Sequence, residues 1–381
     1  MERLRVAIIG AGGRAKSHFS TLRKLSDRFE VVAVCDLDPS RAEEGARYFE
    51  VKAYTDLLDM LNSERIDVGF IAVQAEGHHP IAVELAERGI HILTETPIAI
   101  TNLCARRMIE AASNNGVILE VSENVPRWPR ERLKQTAVRS GAIGEVRSFY
   151  LSYTSGSYHG FAGIRCIIDA EPLSVRGEFP DESTGVIERA EMSWERGISG
   201  VYEFNRSRGN YWEVRGTKGE VRGGEIVIGG RALPIKLRFE GQGEERRLIG
   251  AYVEAHPPIA WENPLRGYRL SDEDDVARAD AWVSLYEAVV NDKPLSYGPE
   301  KAARDVEILM AIRESASKGV EVRLPLEGVT EHERLIHEEL AKVYGVDPLE
   351  LTPHHLRVRY TLPGRLRELM YYGRTLRSPL F

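Results

Sequence analysis

Apolar residues in the first third of the chain alternate between short unbroken runs and helical spacing. Residues 6–9 form an apolar run typical of a buried parallel strand. Ala15, Phe19, Leu22 and Leu25 then recur on one face of a helix. The alternation predicts a doubly wound α/β sheet, with strands over residues 6–9, 31–35, 68–73, 90–93 and 117–121 and further helices over 39–49, 55–61, 80–88 and 101–115.

The pattern changes after residue 124. Strand-like stretches without regular helices between them indicate a largely antiparallel sheet over residues 145–154, 185–194, 200–204, 211–215, 220–222 and 225–228. Further helices are predicted over residues 130–140, 274–290, 299–318 and 331–344. We therefore predict an α/β domain over residues 1–124, an α+β domain with an open, mostly antiparallel sheet over 125–330, and a helical C-terminal extension over 331–381.

The turn after the first strand carries a glycine pattern. It reads G-A-G-G-R-A over residues 10–15. Gly10 permits the tight turn, Gly12 lets the backbone approach a pyrophosphate, and Ala15 lets helix and strand pack closely. The N–H groups that begin the following helix attract phosphates. The turn predicts a dinucleotide site that also includes Ala11, Gly13 and Arg14.

An acidic residue follows the second strand. Asp36 lies 21 residues beyond Ala15, where a carboxylate can accept hydrogen bonds from an adenosine ribose. Its charge would repel a 2′-phosphate, which favours NAD over NADP. Arg41, on the next helix, could weaken this preference.

Composition narrows the class of protein. The chain has 381 residues, of which 43% are hydrophobic and 29% charged, with a net charge of −7. No basic stripe interleaves with aromatic residues, which argues against nucleic-acid binding. The first strand leaves no room for a signal peptide, and no apolar run is long enough to span a membrane. Cys35, Cys104 and Cys166 are too widely spaced for a metal site, so we predict reduced thiols, no metal and a cytoplasmic location.

The C-terminal 30 residues are basic, with six Arg and one Glu. Such a run is typical of a solvated face. The alternative is an arm that docks on a neighbouring subunit and so covers Leu366, Leu369, Met370, Tyr371 and Tyr372.

Several motifs together carry a resemblance to a known family. Besides the glycine turn they are C-D-L-D-P-S-R at 35–41, E-G-H-H-P at 76–80, L-T-E-T-P at 93–97, S-E-N at 122–124, I-G-E-V at 143–146 and R-G-T-K-G-E at 215–220. Over residues 3–325 the chain resembles the family of glucose–fructose oxidoreductase, inositol dehydrogenase and their MocA-type relatives. The resemblance implies a Rossmann domain, a sheet whose face is the substrate floor, activity on hydroxyls of sugars or related molecules, and a homo-oligomer (dimer or tetramer).

The chain departs from this family at its usual acid–base residues. Thr96 stands in Glu-Thr-Pro where members usually carry a lysine, and an uncharged hydroxyl cannot place a cation beside a developing alkoxide. Phe161 and Arg165 stand where members carry an Asp followed four residues later by a His. Either other groups carry the chemistry, or the standard reaction is not performed.

Residues 153–165, read as a loop, hold the densest set of reactive side chains. We predict His159 as general base, because an imidazole commonly titrates near neutral pH. Tyr158 or Tyr153 could move the proton instead. Arg165 could supply a cation or bind a substrate anion.

Strand ends and the resemblance add further site residues. The predicted cofactor contacts are completed by Gln74, His79, Glu95, Thr96 and Asn124. The predicted substrate contacts are Glu95, Arg127, Tyr158, His159 and Arg165.

Three functions remain open from the sequence. The first is an NAD(P)-dependent oxidoreductase acting on a sugar-like hydroxyl with a non-standard acid–base group. Residues 94–97 and 122–124 also resemble the family's NAD-dependent glycosidase branch, which implies a redox-assisted glycosidase or lyase. The third is an inactive protein that binds NAD or a sugar.

Overall fold

The computed structural model describes residues 3–358 and 361–374. The chain forms two compact units. The first contains the residues up to 123 together with 278–303 and 337–362, and the second contains 124–277, 304–336 and the residues from 363 onward. This division differs from the predicted domains, because two distant segments join the N-terminal unit.

The first unit contains a six-stranded sheet in the order β3-β2-β1-β4-β5-β6, with every ladder parallel. The doubly wound prediction is confirmed. Its elements are β1 (Leu4–Ile9), α1 (Gly13–Lys24), β2 (Phe29–Cys35), α2 (Pro39–Phe49), β3 (Lys52–Tyr54), α3 (Leu57–Ser63), β4 (Val68–Ile71), α4 (His78–Glu87), β5 (His91–Thr94), α5 (Asn102–Asn114) and β6 (Leu119–Val121).

The second unit contains most of the remaining elements. They are α6 (Pro129–Arg139), β7 (Val146–Ser152), α7 (Ser157–Ile168), β8 (Pro172–Glu178), β9 (Val186–Trp194), β10 (Ser199–Asn205), β11 (Tyr211–Gly216), β12 (Gly219–Arg222), β13 (Glu225–Ile228), β14 (Arg231–Pro234), β15 (Lys236–Glu240), β16 (Arg247–Val253) and β17 (Ile259–Glu262). The chain continues through α8 (Glu273–Asn291), α9 (Pro299–Lys318), β18 (Val322–Arg323), α10 (Glu331–Tyr344) and α11 (Gly364–Tyr372).

A nine-stranded sheet dominates the second unit, in the order β14-β13-β12-β11-β7-β10-β9-β8-β18. Only the β7–β10 ladder among its pairs is parallel. The expectation of an open, mostly antiparallel sheet is confirmed. A separate three-stranded sheet, β15-β16-β17, was not predicted.

Aromatic packing explains why residues 278–303 join the first unit. Trp282 is fully buried, and its ring centroid lies 5.1 Å from that of Phe29 and 5.2 Å from that of Phe70. Ser284 donates a hydrogen bond of 2.5 Å to the buried carboxylate of Glu120. These contacts give the segment a core to pack against and satisfy its polar groups.

Helix α7 corrects the prediction that residues 153–165 form a loop. Gly160 and Gly163 lie within it, and glycines are usually loop signals. A Cβ at Gly160 would lie 2.9 Å from Leu151 and Tyr153, and one at Gly163 would lie 2.8 Å from Val125. The glycines therefore let the helix pack closely on its neighbours, which local sequence does not reveal.

The prediction of a helical C-terminal extension is confirmed by α10 and α11, but the alternative interpretation of its surface is corrected. Leu366 and Leu369 on α11 are buried within their own chain, and Arg313 donates hydrogen bonds to the carbonyls of Met370 and Tyr371. The alternative in which Leu366 and Leu369 are exposed until a neighbouring subunit covers them is therefore wrong. Tyr371, in the same helix, is exposed.

The described residues contain no helix that combines the length and the hydropathy that crossing a membrane requires. They also contain no group of three or more His, Cys, Asp or Glu side chains arranged to hold a metal ion.

Candidate functional site

The turn between β1 and α1 is shaped by backbone geometry. Gly10 has φ +92°, and a Cβ there would lie 2.5 Å from the carbonyl oxygen of Ala72. The N–H of Ala11 donates to Oδ2 of Asp36 at 2.7 Å, and the N–H of Asp38 donates to Oδ1 at 2.9 Å. The Asp36 carboxylate is thereby held against the glycine turn, while its remaining lone pairs can accept from ribose hydroxyls.

The start of α1 suits a pyrophosphate. A Cβ at Gly12 would meet only the Arg41 guanidinium, at 4.0 Å, and one at Gly13 would meet nothing within 4 Å. No side chain caps the helix N-terminus, and no acidic residue lies in its first turn. Open space beside uncapped N–H groups fits the phosphates of a dinucleotide.

A cavity of about 340 Å³ opens beside this turn. It brings together six of the predicted cofactor residues: Gly10, Gly12, Gly13, Arg14, Asp36 and Gln74. Sequence reasoning missed a second group of lining residues far along the chain: Tyr344, Pro353, Leu356, Arg357 and Val358. For Pro353, Leu356 and Val358, the available signal was their apolar character within the basic C-terminal run.

Glu95, at the end of β5, belongs to a buried hydrogen-bonded chain. The indole N–H of Trp282 lies 3.0 Å from Nδ1 of His18, and Nε2 of His18 lies 2.8 Å from Oε1 of Glu95. Because an indole only donates, Nδ1 must accept, so we assign the imidazole proton to Nε2, which donates to Glu95. These two hydrogen bonds fix both the tautomer of His18 and the orientation of the Glu95 carboxylate.

The charge states of His18 and Glu95 follow from their surroundings. Burial lowers the pKa of His18 despite the hydrogen bond to Glu95. Burial alone would raise the pKa of Glu95, but the hydrogen bond from His18 and the charge of Arg14, whose Nε lies 3.6 Å from Oε2, outweigh it and lower that pKa. The result is an ionised Glu95 beside a neutral His18.

The two histidines that begin α4 are buried. Nδ1 of His78 lies 3.0 Å from the carbonyl of Pro97, and its Nε2 lies 3.2 Å from that of Val73. Within the described part of the chain, no hydrogen-bond partner of good geometry reaches either ring nitrogen of His79. His79, Glu95 and Thr96 do not line the 340 Å³ cavity, so their predicted cofactor roles stay predictions.

We expect His79 to make the protein less stable in mild acid. Burial lowers the pKa of His79 to about 4, although a backbone interaction with Pro348 opposes this. Above about pH 6.5 the ring is neutral in both folded and unfolded chains, so its stabilising contribution is complete. As pH falls from 6.5 towards 4, only the unfolded chain takes up the proton, and about 3 kcal/mol is lost progressively.

Denaturant unfolding at pH 7.5, 6.5 and 5.5 checks this expectation. The free energy of unfolding of the wild type should decrease as the pH is lowered from 7.5 to 5.5. The His79→Gln variant should show a smaller decrease over the same range. Equal slopes for the two proteins would remove His79 as the cause.

The predicted catalytic side chains lie around the N-terminus of α7 in the second unit. The Tyr158 and His159 ring centroids are 4.4 Å apart, and those of Tyr153 and His159 are 6.2 Å apart. Tyr153 is buried, with 4% of its surface exposed, whereas Tyr158 and His159 are half-buried. His159 is therefore better placed than Tyr153 to meet a ligand.

Phe161 and Arg165 stand at the two positions where members of the resembled family usually carry Asp and His, and both side chains are buried here. Phe161 is fully buried, and its ring centroid lies 4.9 Å from that of Tyr202. Arg165 is 7% exposed and donates to Asp305 at 2.8 Å and to Glu171 at 2.6 Å and 3.0 Å. The positive charge of the guanidinium is thus already balanced by two carboxylates, which favours a structural role for Arg165 over the predicted substrate contact.

Two further predicted site residues, Asn124 and Arg127, also lie in the second unit. Oδ1 of Asn124 is buried and has no hydrogen-bond partner among the described residues. Arg127 is only 1% exposed. An unsatisfied buried amide oxygen is consistent with a ligand contact for Asn124, and both roles remain predictions.

A buried network supports the first turn of α7. Tyr202 Oη lies 2.6 Å from Oγ of Ser157 and donates to Oε1 of Glu188 at 2.9 Å. Nε of Arg313 donates to Oε2 of Glu188 at 3.1 Å. All four side chains are less than 9% exposed, so the network anchors the residues beside Tyr158 and His159.

Comparison with known proteins identifies the N-terminal domain. Residues 4–123 match the family model described as "Oxidoreductase family, NAD-binding Rossmann fold". D-apiose dehydrogenase of Paraburkholderia graminis is 33% identical over 145 residues, which is 38% of each chain. The match therefore spans about two fifths of that relative.

Two other relatives extend the comparison. An inositol 2-dehydrogenase of Rubrobacter xylanophilus is 24% identical over 75% of this chain and 80% of its own length. A glycosyl hydrolase family 109 protein of Shewanella pealeana is 30% identical over 38% of this chain and 34% of its own.

A solved structure agrees with the fold. The WlbA dehydrogenase of Bordetella pertussis, in complex with NADH and UDP-GlcNAcA, superposes with a TM-score of 0.66. The superposition covers 86% of this chain and all of that one, at 19% identity.

Proposed function

We propose that the protein is an NAD-dependent dehydrogenase of a sugar-like hydroxyl and a member of the family of glucose–fructose oxidoreductase, inositol dehydrogenase and MocA, which the match of residues 4–123 to an oxidoreductase family with an NAD-binding Rossmann fold supports. We infer the substrate class from similar proteins, which include a D-apiose dehydrogenase and an inositol 2-dehydrogenase. The observation that carries the proposal is the glycine turn, hydrogen-bonded to Asp36 beside a cavity of about 340 Å³.

The first unit supplies the cofactor contacts. The turn at Gly10, Gly12 and Gly13 would hold the pyrophosphate, and Asp36 would hold the adenosine ribose. NAD held by these residues would supply the hydride acceptor for the carbon that bears the hydroxyl. The negative charge of Asp36 favours NAD over NADP, since a 2′-phosphate would be repelled.

A proton must leave the hydroxyl as the hydride departs. Thr96 carries no cation, Phe161 is buried and apolar, and Arg165 is held by two carboxylates. Those positions therefore offer no base. We propose that His159 takes the proton and that the adjacent Tyr158 ring orients it.

Replacing His159 with Ala is expected to lower turnover at least 100-fold and to leave the dissociation constant for NAD within twofold of wild type. The loss reflects the absent base, while the cofactor turn is untouched. The measurement is NADH formation at 340 nm over a panel of sugars and inositols, paired with calorimetry. His256→Ala, at an exposed position, is the matched control. An undiminished rate in the His159 variant would eliminate this base.

One relative favours a second candidate, a redox-assisted glycosidase. The matched protein of Shewanella pealeana is a glycosyl hydrolase family 109 protein. In such a reaction the cofactor is reduced and reoxidised within one turnover. Cleavage of an aryl glycoside with deuterium exchange from solvent and no net NADH would support it over the dehydrogenase. Binding of NAD with neither reaction would leave an inactive binding protein.

Two further features belong to the proposal. We expect a homo-oligomer, which sedimentation would detect, and a cytoplasmic location, which fractionation of expressing cells would test.

A further inference from the structure

A segment near the C-terminus forms part of the wall of the cofactor cavity. The C-terminal segment, residues 344–358, contributes Tyr344, Pro353, Leu356, Arg357 and Val358 to the lining. Cδ1 of Leu356 lies 3.5 Å from the place that a Cβ on Gly77 would occupy. The side chain therefore lies directly over Gly77. The family model matches residues 4–123, so this wall lies outside the matched region.

Polar contacts anchor the C-terminal segment to the first unit. Nε of Arg357 lies 2.6 Å from Oδ2 of Asp56. Asp56 also accepts hydrogen bonds from the first N–H groups of α3, so its position is fixed by the helix it caps. Upstream, Nε2 of His337 lies 2.9 Å from Oγ1 of Thr101. These contacts hold the segment in place independently of any ligand.

The neighbours of the C-terminal segment define which part of a dinucleotide it can touch. The cavity wall includes Asp36 and Leu37 at the end of β2, and Gln74 and Gly77 after β4. An acidic residue at the end of the second strand marks the ribose of the adenosine half. Glu95 and Thr96, at the end of β5, lie outside the cavity.

We propose that the C-terminal segment is a binding element for the adenosine moiety of the cofactor. The inference rests on the proposed function, since it assumes that NAD occupies the cavity. Leu356 and Val358 supply apolar surface for a purine, and Arg357, one face of which pairs with Asp56, adds hydrogen-bond donors to the cavity wall. A wall of this kind raises affinity and slows dissociation, because its contacts with the ligand must be broken before the ligand leaves.

The test uses the full-length protein and three ligands: NAD, AMP and nicotinamide mononucleotide. Leu356→Ala is expected to raise the dissociation constants of NAD and AMP by the same factor, about tenfold. Nicotinamide mononucleotide lacks adenosine, so its binding should not change. Leu349→Ala is the matched control, because Leu349 is 37% exposed in the same segment and does not line the cavity.

Each outcome decides a separate question. Equal NAD affinity in Leu356→Ala and wild type overturns the inference, and so does tighter binding, which would show that the segment competes for the site. Absence of NAD binding by the wild type would instead refute the proposed function. If Leu356→Ala fails to fold, Arg357→Ala replaces it, because this side chain is 43% exposed; a threefold weaker binding of AMP is expected, and no change overturns the inference.

Discussion

Replacing Gly10 with Ala is expected to abolish measurable NAD binding and to lower the free energy of unfolding by about 3 kcal/mol or more. The reason is geometric. Gly10 has φ +92°, and its Cβ would lie 2.5 Å from the carbonyl oxygen and 2.8 Å from the carbonyl carbon of Ala72. Both are backbone atoms of Ala72, directly after β4, so no side chain can rotate away. The turn must move, and with it the N–H that holds Asp36.

Gly12→Ala is the matched control for this prediction. Gly12 has φ −73°, which any residue adopts, and a Cβ there meets only the Arg41 guanidinium at 4.0 Å. The free energy of unfolding should stay within 0.5 kcal/mol of wild type, as for an ordinary surface substitution. If a pyrophosphate packs against this backbone, NAD affinity should nevertheless fall at least tenfold. Unchanged affinity in this stable variant would show that no phosphate lies there.

The second large effect is expected at Arg313. Arg313→Met should lower the free energy of unfolding by about 3–5 kcal/mol, because it leaves the buried Glu188 carboxylate without its cation. It also removes the donors to the carbonyls of Met370 and Tyr371. The measurement is urea unfolding at pH 7.5 on wild type and variant.

Two companion variants separate burial from charge. Arg189→Met removes a surface arginine that pairs with Glu178 and Glu191, and it should cost less than about 1 kcal/mol. The double variant Glu188→Gln/Arg313→Met leaves no unpaired buried charge and should recover part of the loss. If the single Arg313 variant were as stable as the Arg189 variant, the network would not anchor α7.

The parts of the site that sequence could predict are those encoded locally. Gly10 and Asp36 act through a turn and a strand end, and their backbone roles follow from residue type and spacing. The same local logic predicted the parallel sheet, since its central strands β1 and β4 are almost entirely buried and mostly apolar.

The parts that sequence could not predict depend on distant segments. Trp282 meets His18 across 264 residues, and no pattern in either segment specifies the other. Leu356 reaches the cofactor cavity from a basic run whose composition is typical of solvated surface. In α7, Gly160 and Gly163 looked like loop residues because their packing partners, Leu151 and Val125, lie outside the helix.

The most direct test is titration calorimetry of NAD into cofactor-stripped, full-length protein, in parallel with the Gly12→Ala variant. The account predicts one saturable NAD site per chain in the wild type and at least tenfold weaker binding in the variant. A wild-type protein that takes up neither NAD nor NADP would contradict it.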